Sequence, residues 1–261
     1  MGIATDIAGD WHAALAALAW QVEAGADETI GDAPVNRYEL AAETSKALTP
    51  KTSPAAPDQP VGQDPVAVAA AGASAAQNLD ALREAIAAYP HCDLKKGARN
   101  TVFADGNPKA RVLILGEAPG AEEDREGRPF VGRAGQLLDR MFAAIGLSRT
   151  SPDAETALYI TNVMPWRPPA NRDPEPVEIA MMRPFVERHI ALVDPAVIVV
   201  MGNTPLDALT GKRGILRARG TWTQALGKPL LPMTHPAYLL RNPGAKREAW
   251  ADLLSLQERL R

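Results

Sequence analysis

Cysteine is nearly absent from this chain: Cys92 is the only one among 261 residues. A single thiol excludes an internal disulfide bond and any metal site built from several cysteines. No run of about 18 or more apolar residues occurs, so the sequence has no candidate membrane span. The first residues, MGIATDIAGD, lack the basic start and the apolar stretch of a secretory signal. We therefore expect a cytoplasmic protein.

Motifs that would identify several other kinds of site are also missing. The sequence contains no GxxxxGKS/T phosphate-binding loop, no GxSxG nucleophile elbow and no HExxH zinc motif. The glycines between residues 116 and 135 are not spaced as a dinucleotide-binding fingerprint. The four histidines are not spaced as metal ligands either (His12, His91, His189 and His235).

Charge is distributed unevenly along the chain. Residues 1–75 contain three basic and ten acidic residues, a net charge of −7, whereas the rest contains 25 basic and 21 acidic residues, a net charge of +4. A mildly basic body with an acidic extension is compatible with a polyanionic partner. Many soluble domains reach the same charge, so composition alone leaves the partner open.

The first 75 residues differ in composition from the rest and are expected to lie outside the main domain. Residues 1–47 form an acidic extension in which Asp10 can cap a helix with apolar residues on or near one face (Trp11, Leu15, Leu18 and Val22). That helix either packs on the body of the protein or binds a partner. Residues 48–75 are rich in proline and alanine, which predicts a linker. A single catalytic domain is expected over residues 76–261.

Strand-like and helix-like patterns alternate in the remainder of the chain. Four short apolar runs have the length of strands (112–115, 158–163, 196–201 and 230–233). Helical spacing of apolar residues precedes, separates and follows them (75–88, 134–145, 176–192, 205–209 and 246–260). This alternation predicts an α/β fold: a central, mostly parallel four-stranded sheet with helices on both faces, in an α/β/α arrangement.

Polar residues follow each of the four predicted strands. The strands run in turn into Gly116-Glu117-Ala118-Pro119-Gly120, Thr161-Asn162, Gly202-Asn203 and Thr234-His235. The carboxyl ends of parallel strands share one edge of a sheet, and α/β proteins bind ligands at that edge. We therefore expect a carboxylate, an amide and an imidazole to converge in one cleft.

Each candidate residue has a structural interpretation beside the functional one. Glu117 either bonds to nearby backbone N–H groups or positions a water molecule and faces a developing positive charge. His235 is either a hydrogen-bonded structural histidine or a group that stabilises a negatively charged leaving group. Asn162 is either a turn amide or a reader of a nucleobase edge. Phe130 either fills the core or stacks on a base.

Two further segments suit contact with DNA. The proline-rich loop 166–174 carries Arg167 and Arg172. The segment 235–247 places an apolar tip beside basic residues (Tyr238, Leu239 and Leu240, then Arg241, Lys246 and Arg247). An exposed apolar tip flanked by basic residues can fill the place of an extruded nucleobase in a duplex, while the basic residues contact the phosphates and hold the protein in place. The same segment is also compatible with an ordinary helix start.

The motifs GEAPGxxEDxxGxPFVGxAGxLLDxM, YITN, RPPxNR and THPxxLLR, in this order, resemble those of family 4 uracil-DNA glycosylases, within the uracil-DNA glycosylase superfamily. The resemblance covers residues 89–255. It implies a monofunctional enzyme that flips uracil out of DNA and removes it by hydrolysis, leaving an abasic site for base excision repair. It identifies Glu117 and His235 as catalytic residues, and it places four residues around the base (Ala118, Gly120, Phe130 and Asn162). We expect Gly116 and Glu123 at the base as well, although the sequence leaves open whether Glu123 lies near C5 of the base or away from it.

The resemblance also implies that Leu239 intercalates into DNA, with Tyr238 and Leu240 adjacent. Basic residues nearby are expected to hold the phosphates (Arg167, Arg172, Arg241 and Lys246). The expected partner is uracil-containing DNA, single- or double-stranded, bound by a monomer. Two other functions stay open at this point: a non-catalytic protein that recognises uracil or abasic sites in DNA, and a base-binding α/β module unrelated to DNA.

The cysteine content departs from the family pattern. The resemblance implies four cysteines that hold a 4Fe–4S cluster, and only Cys92 remains here, with Tyr89, Trp166 and Met182 at the other three positions. One thiolate cannot hold such a cluster. We therefore expect no iron–sulfur cofactor and no metal, and we predict that the three replacing side chains fill the volume as a packed apolar cluster.

Overall fold

A six-stranded mixed sheet forms the centre of the computed structural model, which describes residues 64–261 and, of the preceding segment, only Leu15. The strands are β1 (Ala104–Gly106), β2 (Val112–Gly116), β3 (Leu158–Asn162), β4 (Val197–Met201), β5 (Thr223–Ala225) and β6 (Lys228–Met233). Their order across the sheet is β1-β3-β2-β4-β6-β5. The four central strands are parallel to one another, which confirms the predicted α/β fold and its four-stranded parallel core.

The central strands are buried on both faces because their sequences are mainly apolar, with polar residues only at the end of β3 and the start of β6. In β2, Leu113 and Leu115 belong to one core cluster, whereas Val112 and Ile114 belong to another. Successive side chains of a strand point to opposite faces, so the two clusters lie on opposite sides of the sheet. A parallel sheet covered on both sides requires such nearly continuous apolar strands.

Ten α-helices connect and cover these strands within residues 64–261. They are α1 (Pro65–Ala75), α2 (Leu79–Ala88), α3 (Leu94–Gly97), α4 (Ala121–Glu126), α5 (Arg133–Ala143), α6 (Pro176–Val193), α7 (Asn203–Thr210), α8 (Ile215–Ala218), α9 (Pro236–Arg241) and α10 (Lys246–Leu260). The ends of α5, α6, α7 and α10 differ from the prediction by at most two residues. No helix in this part of the chain is long and apolar enough to cross a membrane.

Residues 65–75 are helical, so the predicted linker is wrong over this stretch. Asp64 caps α1 by accepting a hydrogen bond from a backbone N–H at 3.0 Å, and Pro65 stands in the first turn, where a missing N–H is tolerated. The small side chains that suggested a linker instead allow close helix packing, since Gly72 lies against the Phe185 ring of α6. The rest of the predicted linker, and the predicted N-terminal helix except Leu15, lie outside the described residues.

Two short antiparallel edge strands, β1 and β5, add to the four predicted strands. Their sequences are Ala-Asp-Gly and Thr-Gln-Ala, which contain no apolar run or clear alternation. Pairing with a neighbouring strand, rather than their own sequence, makes these residues extended. The prediction of four strands was therefore incomplete at both edges of the sheet.

Candidate active site

The carboxyl ends of the four parallel strands surround one cleft of about 760 Å³. Its walls carry Glu117 after β2, Asn162 at the end of β3, Asn203 after β4 and His235 after β6. The predicted convergence of a carboxylate, an amide and an imidazole is therefore confirmed. Four of the other residues expected around a base also line the cleft (Ala118, Gly120, Glu123 and Phe130).

Gly116 lies behind the cleft wall and makes the close packing of that wall possible. A Cβ atom at this position would come within 2.3 Å of the Asn162 Oδ1 atom and 2.5 Å of the Phe130 ring. Real Cβ atoms do not approach other atoms so closely. Glycine at the end of β2 therefore allows the amide and the aromatic ring to meet at one point of the cleft.

Two buried side-chain atoms have no hydrogen-bond partner within residues 64–261, and both belong to residues that line this cleft. They are Asn162 Oδ1 and Thr234 Oγ1. A buried polar atom left without a partner costs about 1–3 kcal/mol, so such atoms in a native protein call for an explanation. Their shared position indicates that the cleft binds a polar ligand.

Phe130 adopts a left-handed backbone conformation with a φ angle of 54°. This conformation is unusual for a bulky residue, and strain of this kind concentrates at functional sites. The Phe130 ring is buried, and its centroid lies 5.5 Å from that of the His235 ring. Gly135 in α5 makes room for the strained residue, because a Cβ atom there would lie 1.8 Å from the Phe130 carbonyl oxygen.

Glu123 fixes the loop that presents Phe130. One carboxylate oxygen accepts hydrogen bonds from the Val131 N–H at 3.0 Å and the Gly132 N–H at 2.9 Å, and the other accepts one from the Gly120 N–H at 3.1 Å. Both oxygens are therefore engaged within the protein. These bonds make Glu123 a residue that positions two loops of the cleft wall, and its expected contact with the base stays a prediction.

Arg149, which no sequence pattern singled out, supports the same loop from behind. Its guanidinium donates to the Pro129 carbonyl at 2.9 Å and to the Phe130 carbonyl at 2.8 Å. It also pairs with Asp139 at 2.8 Å and Asp105 at 3.1 Å, and its side chain is only 9 % exposed. Its partners lie 10 to 44 residues away along the chain, so local sequence carries no signal of this role.

Glu117 is half-buried and keeps one carboxylate oxygen free. The Thr204 hydroxyl donates to Oε2 at 2.6 Å, and Oε1 accepts no hydrogen bond from the described part of the chain. Burial raises the pKa of the Glu117 carboxyl, and the hydrogen bond from Thr204 lowers it. Asp173 has a smaller effect that raises the pKa, and Arg213 has a smaller effect that lowers it. Thr204 follows the end of β4, so its position after a strand was the only signal available in the sequence.

His235 is held in one tautomer. As the N-cap of α9, its Nδ1 atom accepts a hydrogen bond from the Ala237 N–H at 3.1 Å. The ring proton is therefore on Nε2, which can donate to a ligand. Burial lowers the pKa of His235 to about 4; Arg241 also lowers it, and Glu123 opposes the shift. The imidazole is thus neutral near pH 7.

The two arginines of loop 166–174 are bonded within the protein. Arg172 pairs with both carboxylate oxygens of Glu178, at 2.6 and 2.9 Å, and this hydrogen bonding lowers the pKa of the Glu178 carboxyl. Arg167 donates to the Asn171 side chain at 2.8 Å and does not line the cleft. Arg172 also lines the cleft, so the predicted contacts of Arg167 and Arg172 with DNA both stay predictions.

The predicted wedge residue, Leu239, is buried. It is 1 % exposed and packs with Leu137 of α5 and Ala249 of α10. Because 236–241 is helical, successive side chains point in different directions, and Tyr238 faces the cleft while Leu239 faces the core. The structure therefore contradicts an exposed intercalating tip at Leu239. The half-buried Leu240 and the exposed Arg241 and Lys246 keep their predicted roles as predictions.

The residues at the cysteine positions of the family are buried in one apolar cluster, as predicted (Tyr89, Trp166 and Met182). The Tyr89 hydroxyl donates to the carbonyl of the first residue of α1 at 2.8 Å, and the Trp166 indole N–H donates to the Thr101 hydroxyl at 3.1 Å. A phenol, an indole, a thioether and one thiol are not a ligand set for an iron–sulfur cluster. These residues therefore do not fit that cofactor.

Comparisons with known proteins agree with this geometry. The model of the uracil DNA glycosylase superfamily matches residues 103–254. A Type-4 uracil-DNA glycosylase of Sulfurisphaera tokodaii is 36 % identical over 191 residues, which are 69 % of this chain and 84 % of the relative. One of Thermotoga maritima is 40 % identical over 167 residues (63 % and 84 %), and one of Saccharolobus solfataricus is 38 % identical over 193 (70 % and 87 %). The strand-end cleft, the family match and these identities together show that the chain belongs to the uracil-DNA glycosylase superfamily.

Proposed function

We propose that this protein is a uracil-DNA glycosylase that extrudes uracil from DNA and hydrolyses its N-glycosidic bond, leaving an abasic site for base excision repair. One observation carries the proposal: a single cleft holds an unpaired amide oxygen, an aromatic ring, a neutral imidazole donor and a carboxylate with a free oxygen. The similar proteins named above are uracil-DNA glycosylases by name.

Asn162 and Phe130 select and hold the base. Uracil presents an N–H donor between two carbonyl acceptors, and an amide side chain offers one acceptor and one donor to such an edge. The buried, unpaired Asn162 Oδ1 suits the uracil N3–H. Cytosine lacks that hydrogen and would leave the oxygen unpaired, which is how a polar site rejects a close analogue. The Phe130 ring provides a stacking surface beside the amide.

His235 stabilises the departing base. Cleavage of the bond develops negative charge on uracil N1 and O2, and the Nε2–H of a neutral imidazole donates a hydrogen bond to that charge. The bond from the Ala237 N–H to Nδ1 fixes the ring so that no reorientation is needed during the reaction. Loss of one such oriented donor typically lowers the rate by about 10²–10³.

Glu117 acts on the sugar side of the bond. The deoxyribose gains positive charge as the base leaves, and an ionised carboxylate both opposes that charge and accepts a proton from the attacking water. The free Oε1 atom is available for this water, while the Thr204 hydroxyl holds Oε2. All of these steps use side chains of the chain itself.

A protein that only recognises uracil or an abasic site would need the ring and the amide. It would not need a carboxylate held by Thr204 together with an imidazole held in its donor tautomer, and the cleft contains both. This orientation of the two charge-stabilising groups favours catalysis over simple recognition.

The test is an alkali-cleavage assay on a single-stranded oligonucleotide with one uracil, in the presence of a chelator. We expect the wild type to create an alkali-labile site, and Glu117→Gln and His235→Ala to be slower by about 10²–10³ each. Glu84→Gln, at an exposed glutamate of α2, is the matched control and should match the wild type. Absence of an alkali-labile site at enzyme excess would contradict the proposed activity.

We also propose that the enzyme acts as a monomer, because the residues of the proposed chemistry all come from one chain. Light scattering during size-exclusion chromatography at the assay concentration tests this, and a dimer would contradict it. The cytoplasmic location expected from the sequence stays a prediction.

A further inference from the structure

Leu216 is an exposed apolar residue at the mouth of the cleft. It is 58 % exposed, and it lines both the main cleft and a second cleft of about 600 Å³ beside α9. Only Tyr238 and Arg241 share this position with it among the described lining residues. Leu216 therefore stands where the two clefts meet, next to the site of the extruded base.

The backbone holds Leu216 in a fixed place. The Asn203 side-chain oxygen accepts hydrogen bonds from the Gly214 N–H at 3.0 Å and the Ile215 N–H at 2.9 Å. Gly214 has a φ angle of 104°, which residues with side chains rarely adopt. Ile215 is buried in the core, so the residue just before Leu216 anchors the segment while Leu216 itself projects.

Positive charge surrounds this projecting side chain. Four basic residues near it are exposed (Lys212, Arg213, Arg217 and Arg241). The acids close by are paired: Asp207 lies 3.0 Å from the guanidinium of Arg213, and Glu248 of the second cleft lies 3.6 Å from that of Arg219. Within residues 64–261, the other three basic residues near Leu216 form no ion pair, so positive charge remains beside it. The segment therefore suits the phosphates that flank an extruded nucleotide.

We propose that Leu216 inserts into the base stack of duplex DNA in the place vacated by the uracil. This inference rests on the proposed function and moves the wedge from α9 to segment 212–217. Leu239 could serve only if α9 left its packing against α5 and α10, whereas Leu216 is already exposed. An apolar side chain flanked by basic residues is the combination that minor-groove and base-flipping proteins use to keep a duplex open.

Excision rates on single-stranded and duplex oligonucleotides of one sequence test the proposal. Only a duplex opposes extrusion by pairing and continuous stacking, so Leu216→Ala should lower the duplex to single-strand rate ratio by at least about tenfold. Leu216→Met, which conserves volume, should keep most of the ratio. Leu226→Ala is the matched control, because Leu226 is a 45 % exposed leucine in the turn between β5 and β6. This substitution should leave the ratio unchanged.

A duplex with a pyrene nucleotide opposite the uracil supplies a second readout. Pyrene occupies the space of the base pair and pushes the uracil out, so it replaces the function of a wedge. We expect this duplex to restore the rate of Leu216→Ala towards that of the wild type. Restoration would not follow if the substitution had only disturbed the fold or the chemistry.

Three results would overturn the inference: an unchanged ratio in Leu216→Ala, equal losses on both substrates, or a duplex-specific loss confined to Leu240→Ala. Failure of the wild type to release uracil from a single strand would instead contradict the proposed function. The two failures are therefore distinguishable within one experiment.

Discussion

The Thr204 hydroxyl is the group that lowers the pKa of the Glu117 carboxyl most. Burial of Glu117 raises this pKa, whereas the hydrogen bond from Thr204 lowers it. Thr204→Val keeps the shape of the side chain and removes the donor, so it raises the pKa of Glu117 further. Because the ionised carboxylate is the active form, activity should then disappear at a higher pH as the solution is acidified. Single-turnover rates from about pH 4 to about pH 9 measure this acid limb.

Thr204→Ser is the control for this prediction because it retains the hydroxyl. It should keep the acid limb of the wild type, and identical limbs in the serine and valine variants would show that the hydrogen bond does not govern Glu117. His235 has its pKa lowered to about 4 and is present in all three proteins, so its protonation does not account for a difference between the limbs of the valine and serine variants.

Gly116 is the second position where one residue decides the geometry of the cleft. In Gly116→Ala the added methyl would meet Asn162 Oδ1 at 2.3 Å and the Phe130 ring at 2.5 Å, so both must move. We expect weaker inhibition by free uracil and a loss of stability of about 1–3 kcal/mol, as in other overpacked sites. Gly97→Ala is the control, because a Cβ atom at Gly97 meets no atom of residues 64–261 within 4 Å. Unchanged uracil inhibition in Gly116→Ala would contradict this account of the cleft wall.

At the scale of secondary-structure elements, the parallel core was predictable because burial on both faces imposes a strong local pattern. The strands β2 and β4 are apolar runs, β3 is apolar up to its Thr161-Asn162 end, and α6 and α10 repeat apolar residues at helical spacing. The edge strands and α1 were not predictable in the same way. The edge strands are short and partly polar, and α1 consists mostly of small residues. Contacts with neighbouring elements, rather than a pattern in their own sequences, determine the structure of these segments.

The site shows the same division. Glu117, Asn162 and His235 were predictable because a parallel sheet brings its strand ends to one edge. The direction of the Leu239 side chain was not predictable, because it depends on residues of α5 and α10 that are distant in sequence and pack against α9. The supporting role of Arg149 was not predictable either, since it arises only when four partners from separate parts of the chain meet around the guanidinium.

The loop before α5 gives the prediction at this scale. Arg149→Lys offers one ammonium group where the guanidinium makes four contacts, so the Pro129 and Phe130 carbonyls lose donors and the Phe130 ring loses its support. We expect a stability loss of about 1–3 kcal/mol, because lysine keeps the charge but leaves buried carbonyl acceptors without donors. The Michaelis constant for DNA should rise more than the turnover number falls, because the ring binds the base and does not act on the bond.

Arg183→Lys is the matched control, since Arg183 is an exposed residue of α6 that pairs with Glu187 at 2.7 Å. A surface pair of this kind contributes at most about 1 kcal/mol. If Arg149→Lys retained the uracil inhibition of the wild type, the loop would not depend on the guanidinium, and the positioning role would be contradicted.

At the scale of the whole molecule, side-chain packing holds together segments that the resemblance assigns to a metal cluster. Tyr89 follows α2, Trp166 follows β3 and Met182 lies in α6, so the apolar cluster joins three parts of the chain. The bonds from Tyr89 to the start of α1 and from Trp166 to Thr101 extend the connection to two more. The cluster lies in the core on one face of the sheet, while the cleft residues lie at the strand ends. We therefore expect changes in the cluster to alter stability more than the chemistry.

Trp166→Ala tests this division. Trp166 is 1 % exposed and among the largest fully buried side chains of residues 64–261, so its removal should cost about 3–5 kcal/mol in urea-induced unfolding. Trp250→Ala, at a 44 % exposed tryptophan of α10, should cost far less. The rate of uracil release per folded molecule should stay close to that of the wild type at low temperature.

A chelator should leave the unfolding midpoint of the wild type unchanged, since the packed side chains themselves hold these segments together. Stoichiometric iron in the purified protein, or a midpoint that falls when a chelator is added, would show that metal rather than packing joins these segments.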